Sequence, residues 1–597
     1  MDRTAWIVVA LCVIGLVLWE IYLAKQMAPR PAPVSVAPGQ SSPTATPAIL
    51  APSPLPTPVA EATPGIAPTP SFAEKIETLR NSDVELRLTN RGGGIKEAVL
   101  LRQIAEKGQR VVLNSDQSAP IGAILEQPST PTLPEFTASV QSDAVQFERT
   151  TAEQVAVRKK FFFEKSPENK DNYVIEMDVD VENRGDKPYQ SSGYFVALGS
   201  AASIHPRDYP YYTKLLWYIA GKGLNGKDVG WFAASPGFFG LNPRAARPYY
   251  QENIAGAEWV AVTNQFFTTL VTPLNATLAG KAIDSWKANL VWGRSLDVQG
   301  TQDQKLTAIE GAFGVPGFQL QPGQTYNARF EIYAGPKIYN RLAQLPHNEA
   351  EVMDFSSFTI LKVICQFLLN FLNLLHRWLG NYGVAILALT TVIKLTLWPL
   401  QNQANRSMRK MAALSPKVQE LRDKYKDDPT RMNQEMMKLY KQYGINPVGG
   451  CLPMIIQIPI FFGLFTMLGR AVELRNATFL WVKDLSQPDI LFVIPGLGWI
   501  PFFGIPSVGL PINILPILMG ATQIWLMAMT PKTGDPTQRR VMMFTPLIFL
   551  FICYNFAAAL ALYYTAQNLF SILQFYQNKR QPAPTLEKVA PAGKRKR

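Results

Sequence analysis

What most constrains this chain is where its apolar residues fall. Residues 72–345 mix polar and apolar positions as a water-soluble domain does, whereas nearly all the long apolar runs lie beyond residue 355. About 20 apolar residues suffice to cross the hydrocarbon core of a bilayer as a helix. Six spans are read on that basis: Ala5–Ala24, Asn381–Gln401, Pro447–Leu468, Ile512–Met529, Val541–Phe556 and Ala559–Tyr576. The first reads as an uncleaved anchor (1–27), because Arg3 precedes it and no A-x-A cleavage pattern follows. Thirteen prolines between Pro29 and Pro70 then make 28–71 an extended tether too poor in apolar residues to pack.

Residues 72–345 read as an all-β sandwich. In Tyr173–Val181 the apolar residues Tyr173, Ile175, Met177, Val179 and Val181 alternate with Glu176, Asp178 and Asp180, the period of a strand with one buried face. Phe355–Gly380 is different. Lys362, Gln366, Asn370, Asn373 and Arg377 form one polar stripe at helical spacing, with Ile360, Leu361, Phe367, Leu368, Phe371, Leu372 and Leu375 opposite. Such a helix, 354–380, lies in the interface plane rather than crossing it. The apolar stretch Ile490–Pro511 is broken by prolines and glycines and is placed at the outer interface.

The net charge of +13 concentrates at 406–441, at 532–540 and in Lys594–Arg597, all beside apolar spans. Under the positive-inside rule these are cytoplasmic, which puts both termini inside and the β domain outside. Direct sequence-specific nucleic-acid binding is not expected. Between the second and third spans a cytoplasmic hairpin is predicted over 403–445. Ser415 and Asp428 are expected as caps before Pro416 and Pro429, with Gly444 as the stop. Its Met432, Met436, Met437 and Tyr440 suit an adaptable surface for apolar partners, and packing between the two hairpin helices explains them equally well.

Within the spans the chemistry is sparse. Lys394 sits inside Tyr382–Leu400, where a cation costs roughly 2.5–3.5 kcal/mol on insertion scales and persists only facing protein or water. Thr390 lies one turn before it. In the last span Tyr564, Gln567, Asn568 and Ser571 share a helix face, and Gln457 adds an amide from the third. A hydrophilic groove is expected there. Gln523 and Asn555 are assigned instead to hydrogen bonds between helices. The four cysteines build neither a disulfide framework nor a metal site, and no catalytic constellation accompanies them. Neither an enzyme nor a cofactor is expected. An ion-coupled small-molecule transporter remains the alternative, though inverted repeats and paired broken helices are missing.

Asn446–Phe462 (NPVGGCLPMIIQIPIFF) closely resembles the third-span signature of the YidC/Oxa/Alb membrane protein insertase family. Gln434–Tyr440, Val472–Arg475, Pro516–Gly520 and Leu562–Tyr564 resemble further parts of it. The resemblance implies a multi-pass protein of the cell inner membrane. Five spans (381–578) would form an insertase core, followed by a basic cytoplasmic tail (579–597), and a periplasmic sandwich would associate with Sec partners. Lys394 would occupy the place of the family's groove arginine, and Thr390 and Tyr564 would contact substrate. The implied partners are nascent membrane proteins, the Sec translocon, the ribosome and the lipid bilayer.

Overall fold

The computed structural model describes residues 72–580 apart from 106–107, 116–117, 131, 164–171, 206–207, 236, 238–241, 300–304, 427, 446–451, 501–502, 505–508 and 530–545. The N-terminal apolar run, the proline-rich tether, the basic segment 532–540, the basic tail and the first six residues of the signature lie outside the described residues.

Alternation along Val174–Asn183 becomes a strand with Ile175, Met177, Val179 and Val181 buried. It pairs antiparallel with Val155–Phe163 on one side and Thr325–Pro336 on the other. The polar face is tied by cross-strand charges: Arg329 reaches Glu176 at 2.7 Å and Asp178 at 3.0 Å. These strands belong to a ten-stranded antiparallel sheet, which faces a five-stranded sheet built around Lys305–Leu320 and Tyr189–Ala201. The two inner faces interdigitate. The rings of Phe318 and Tyr326 stack across the gap with centroids 3.9 Å apart. Gly311 lets the sheets close, since a Cβ there would lie 2.8 Å from both Leu215 and Val262. A four-stranded sheet over Ile76–Leu113 completes the domain. The expected β-sandwich is therefore present.

Beyond it the chain is helical: α1 (Thr359–Leu379), α2 (Tyr382–Ala413), α3 (Ser415–Lys424), α4 (Pro429–Gln442), α5 (Leu452–Leu468), α6 (Ile514–Met529), α7 (546–553) and α8 (Ala558–Lys579). By length and composition α1 and α2 could each cross a bilayer. However, α1 has three faces where the sequence suggested two. Cys365, Leu368, Leu369 and Leu372 are buried against the other helices, while Ile360, Val363, Phe367, Leu374 and Trp378 are exposed. The polar stripe runs between these two apolar faces. Thus Leu368 and Leu372, expected on the free apolar side, pack on protein. Cys365 donates to the Gly463 carbonyl at 3.4 Å, where the missing side chain lets α1 and α5 meet.

Three boundaries differ from expectation. The second span does not stop near Gln401: α2 continues to Ala413, through Pro399, and leads directly into the α3–α4 hairpin. Ser415 is not a cap. Leu414 precedes α3 with helical angles (φ −83°, ψ −6°) and is fully buried beside Tyr443 and Ile445, so packing sets this turn. Asp428 does cap α4, accepting from the Arg431 amide at 2.9 Å, and Gly444 ends that limb at φ +60°. Finally, Ile512 and Asn513 are not helical. The apolar segment folds as an antiparallel hairpin of Ile490–Ile494 and Leu510–Asn513, and α6 starts only at Ile514.

The β domain sits on one end of the bundle. Gln265 donates to the Gly469 carbonyl just past α5 at 2.7 Å, and Asp354 pairs with Lys214 at 2.7 Å and Arg470 at 3.5 Å. Burial alone would raise the pKa of the Asp354 carboxyl, but those cations outweigh it and hold the group below its usual range. Arg475 donates to the Ile104 carbonyl at 3.1 Å and lies over the rings of Phe266 and Phe267. One continuous hydrophobic cluster therefore runs from the sandwich into the helices.

Candidate functional site

Lys394 points from α2 toward α8. Its ammonium donates to Ser571 Oγ at 2.7 Å, and that hydroxyl donates to the Gln567 carbonyl one turn earlier at 2.9 Å. The lysine is only 7% exposed. Among the described residues it makes no ion pair, and α2, α5, α6, α7 and α8 contain no Asp or Glu at all. An uncompensated buried cation is costly unless water or a partner reaches it. Beside it lies a recess lined by Lys394, Gln401, Gln457, Tyr563, Gln567 and Gln574, with Ile393, Leu397 and Ile460 as apolar walls. Its volume is about 10 Å³, near the minimum for one water.

The two ends of this recess differ. Toward the β domain, Ile386, Leu389, Leu560 and Ala561 are buried and apolar. Thr390 is fully buried there, with its hydroxyl donating back to the Ile386 carbonyl at 2.7 Å. Toward the hairpin the seam between α2 and α8 is polar. Gln574 donates to Asn402 Oδ1 at 2.9 Å, Asn578 donates to the same oxygen at 3.1 Å, and Arg409 donates to the Asn578 carbonyl at 2.8 Å. The positive site is thus plugged at the sandwich end and continued by amides toward the hairpin end.

The structure brings Lys394, Gln457, Gln567 and Ser571 together and leaves three expected members outside the recess: Thr390, whose hydroxyl is taken up by its own helix in the apolar end, Asn568 and Tyr564. Asn568 turns toward α6, donating to Thr522 Oγ1 at 3.1 Å and to the Met519 carbonyl at 3.3 Å, the geometry of a bond between helices. Tyr564 packs among Phe461, Phe549 and Tyr563 rather than in the recess. Tyr563 takes the recess position instead and donates to Gln567 Oε1 at 2.6 Å. Helical geometry explains the exchange: the lining face of α8 is Tyr563, Gln567, Ser571, Gln574 and Asn578, offset by less than a turn from the one read in the sequence. The i, i+4, i+8 run of Tyr563, Gln567 and Ser571 was legible, but nothing in one helix says which of two polar rows meets Lys394. Gln523 is half-buried. Asn555 is exposed in a turn beyond α7, where its carbonyl accepts from the Tyr209 hydroxyl of the sandwich at 3.2 Å.

In the hairpin the four singled-out residues also separate. Tyr440 packs with Met411 and Leu439 against the buried Leu414, Tyr443 and Ile445. Met432 and Met436 are half-buried, and Met437 is 47% exposed.

A helical core with a buried cation in an acid-free polar recess, carrying a β-sandwich at one end, defines the class. Residues 374–584 match the family model described as the 60Kd inner membrane protein, and residues 77–367 match that of the YidC periplasmic domain. Similar proteins include the membrane protein insertase YidC of Syntrophus aciditrophicus, 38% identical over 54% of this chain and 52% of that protein. That of Nitratidesulfovibrio vulgaris (strain DSM 19637 / Miyazaki F) is 42% identical over 40% of this chain and 42% of its own. That of Pelobacter propionicus is 29% identical over 86% of this chain and 90% of its own. The chain spans about half the length of the first of these relatives. With the two models together covering both its sandwich and its helical core, the chain belongs to the YidC family.

Proposed function

We propose that this chain is a membrane protein insertase and chaperone of the cell inner membrane, acting on nascent membrane proteins without a cofactor or a chemical step. The observation that carries the reading is Lys394: a buried cation, free of acidic partners among the described residues, in a recess continued by amides toward the hairpin end. Such a site draws in an acidic or polar stretch of a client while refusing bulk ions a stable seat. Beside it, Ile455, Ile456, Ile458 and Phe462 on α5 and Leu547, Ile548 and Ile552 on α7 are exposed, an apolar slide on which a client's hydrophobic segment passes into lipid.

In this reading the sandwich is periplasmic, both termini are cytoplasmic, and the α3–α4 hairpin receives clients from the ribosome. The Sec translocon cooperates on the larger clients. The helix α1 lies in the outer interface, its exposed apolar stripe toward lipid and its polar stripe toward water. The recess is narrow, so α2, α5 and α8 part to admit a chain. The test is reconstitution: vesicles containing the full chain insert a short client with an acidic translocated tail, and empty vesicles do not. Equal insertion by both refutes it. An ion-coupled transporter gains no support from the geometry, since among the described residues no second charged group lines the recess with Lys394.

A further inference from the structure

The 490–513 hairpin lies at the sandwich end of the bundle, held on one side by Phe503 against Phe551 and Tyr554, with its outer apolar residues uncovered. Leu491, Phe492 and Trp499 are 53%, 52% and 76% exposed. From Ile490 to Thr530 there is not one charged residue. A second apolar tip lies nearby. Phe479 and Val482 exchange backbone hydrogen bonds at 2.9 Å, which makes Leu480 and Trp481 the two central residues of a tight turn. Leu480 holds φ +52° and is 75% exposed, while Trp481 is not left-handed. A turn with positive φ only at its first central residue takes glycine there. A leucine in that place is strained, and three quarters of its side chain stands free of the chain.

Both tips are fastened to the end of α6. Asp489 accepts from the Leu515 amide at 2.7 Å and from the Trp481 indole at 3.3 Å, so one carboxylate joins the turn, the hairpin base and the helix start. Burial raises the pKa of that carboxyl, while those donors oppose the rise. Tyr554, just past α7, donates to the Pro511 carbonyl at 2.7 Å, and Asn513 donates to the Tyr554 carbonyl at 2.8 Å. The height of the tips relative to the spans is therefore fixed.

We infer that the Leu480–Trp481 turn and Leu491, Phe492 and Trp499 of the following hairpin together form a lipid-binding surface seated in the outer leaflet. The occupant is lipid because the hairpin runs without a charge into α6, whose exposed Ile517, Leu518, Ile524 and Trp525 continue the same apolar surface. Depth follows from the backbone. A two-stranded hairpin has open edges whose N–H and C=O groups have no partner in hydrocarbon, so it rests at the headgroup–acyl boundary, where water reaches them. Exposed tryptophans favour that same level. The surface would brace the outer ends of α6 and α7 against the bilayer while a client parts the recess.

The inference rests on the membrane reading of the core, and the experiment separates the two. In a cysteine-free full-length protein, single cysteines at Leu480, Phe492 and Trp499 are labelled with an environment-sensitive fluorophore. A cysteine at Ile524 on α6 reports the core, and one at Val140, exposed in the sandwich, reports water. The protein is reconstituted in phosphatidylcholine–phosphatidylglycerol vesicles carrying spin-labelled lipids. Probes at 480, 492 and 499 should be quenched at least twofold more by shallow than by deep labels and resist aqueous iodide, whereas Val140 is quenched by iodide. Iodide quenching at all three tips, with Ile524 still quenched by deep labels, overturns the inference and leaves the core reading intact. Lipid shielding that disappears on dilution of protein into lipid also overturns it, because the cover is then a second copy. Leu480→Gly should keep the fold and relieve the turn, yet increase iodide access at 499. Unchanged access means the leucine has no lipid role.

Discussion

Replacing Lys394 by methionine keeps the stem of the side chain and removes its charge, which isolates the electrostatic role proposed for the recess. An acidic client group 4 Å from the ammonium gains about 4 kcal/mol at an effective dielectric constant of 20. The client acid must shed water to enter, and Ser571 already holds one ammonium proton, so a net preference of about 1.4 kcal/mol, or tenfold, is a reasonable remainder. The assay compares two clients that differ by a single Asp or Asn in the translocated tail, inserted into vesicles by each variant. The unsubstituted protein should favour the acidic client by roughly tenfold, and Lys394→Met should bring the ratio to about one. Lys394→Glu should invert it. Lys394→Arg should restore most of it, although its planar fork replaces a point charge. If Lys394→Met keeps the acidic preference, the recess does not select by charge and the argument from the buried lysine fails.

Ser571→Ala removes the hydroxyl that the buried ammonium uses, at a cost of about 1–3 kcal/mol. Thermal unfolding in detergent should fall while the preference for acidic clients persists. The sandwich should be least stable near neutral pH. Lys159 is fully buried, donating to the Gly92 and Gly122 carbonyls, and burial lowers its pKa from 10.5 to about 7. Between those values only the unfolded chain binds the proton, so stability rises with pH by at most about 5 kcal/mol. Burial lifts Glu349 from 4.5 to about 7, so there the folded form binds the proton and stability falls as pH rises through that window. Chemical unfolding against pH should show both limbs, with Lys159→Met flattening the upper and Glu349→Gln the lower. A photocrosslinker at Met437 should capture a ribosome-bound nascent chain more strongly than one at Tyr440, which packs inside the hairpin. Equal yields would mean that the hairpin opens before it meets a client.

The architecture follows from local patterns that a single chain can display. Alternation in Tyr173–Val181 requires a strand with one buried face, because successive side chains point to opposite sides. Likewise a lysine in a long apolar run requires a polar setting whatever surrounds it, since the cost of burying an ammonium is set by its own hydration. The Asp428–Pro429 cap and the Gly444 stop were readable for the same reason: each acts within one helical turn. The sequence by itself therefore determined the two-part fold, the placement of a cation in the core and the existence of a helical hairpin.

What it left open depended on residues far apart in the chain. Polar rows containing Tyr564 or Tyr563 are separated by about 100° on one helix, and only the approach of α2 placed Lys394 against the second. Ser415 had a cap's neighbours, yet Leu414 found a hydrophobic pocket made by Tyr443 and Ile445, and that burial outweighed one hydrogen bond. The apolar face of α1 was divided between protein and surroundings by where α5 crosses it at Gly463. The apolar segment after Asp489 became a hairpin because Leu510–Asn513 lay within reach to pair with it. Local chemistry fixes what each element is, but which face it turns to a neighbour is set by contacts that exist only after the helices have packed.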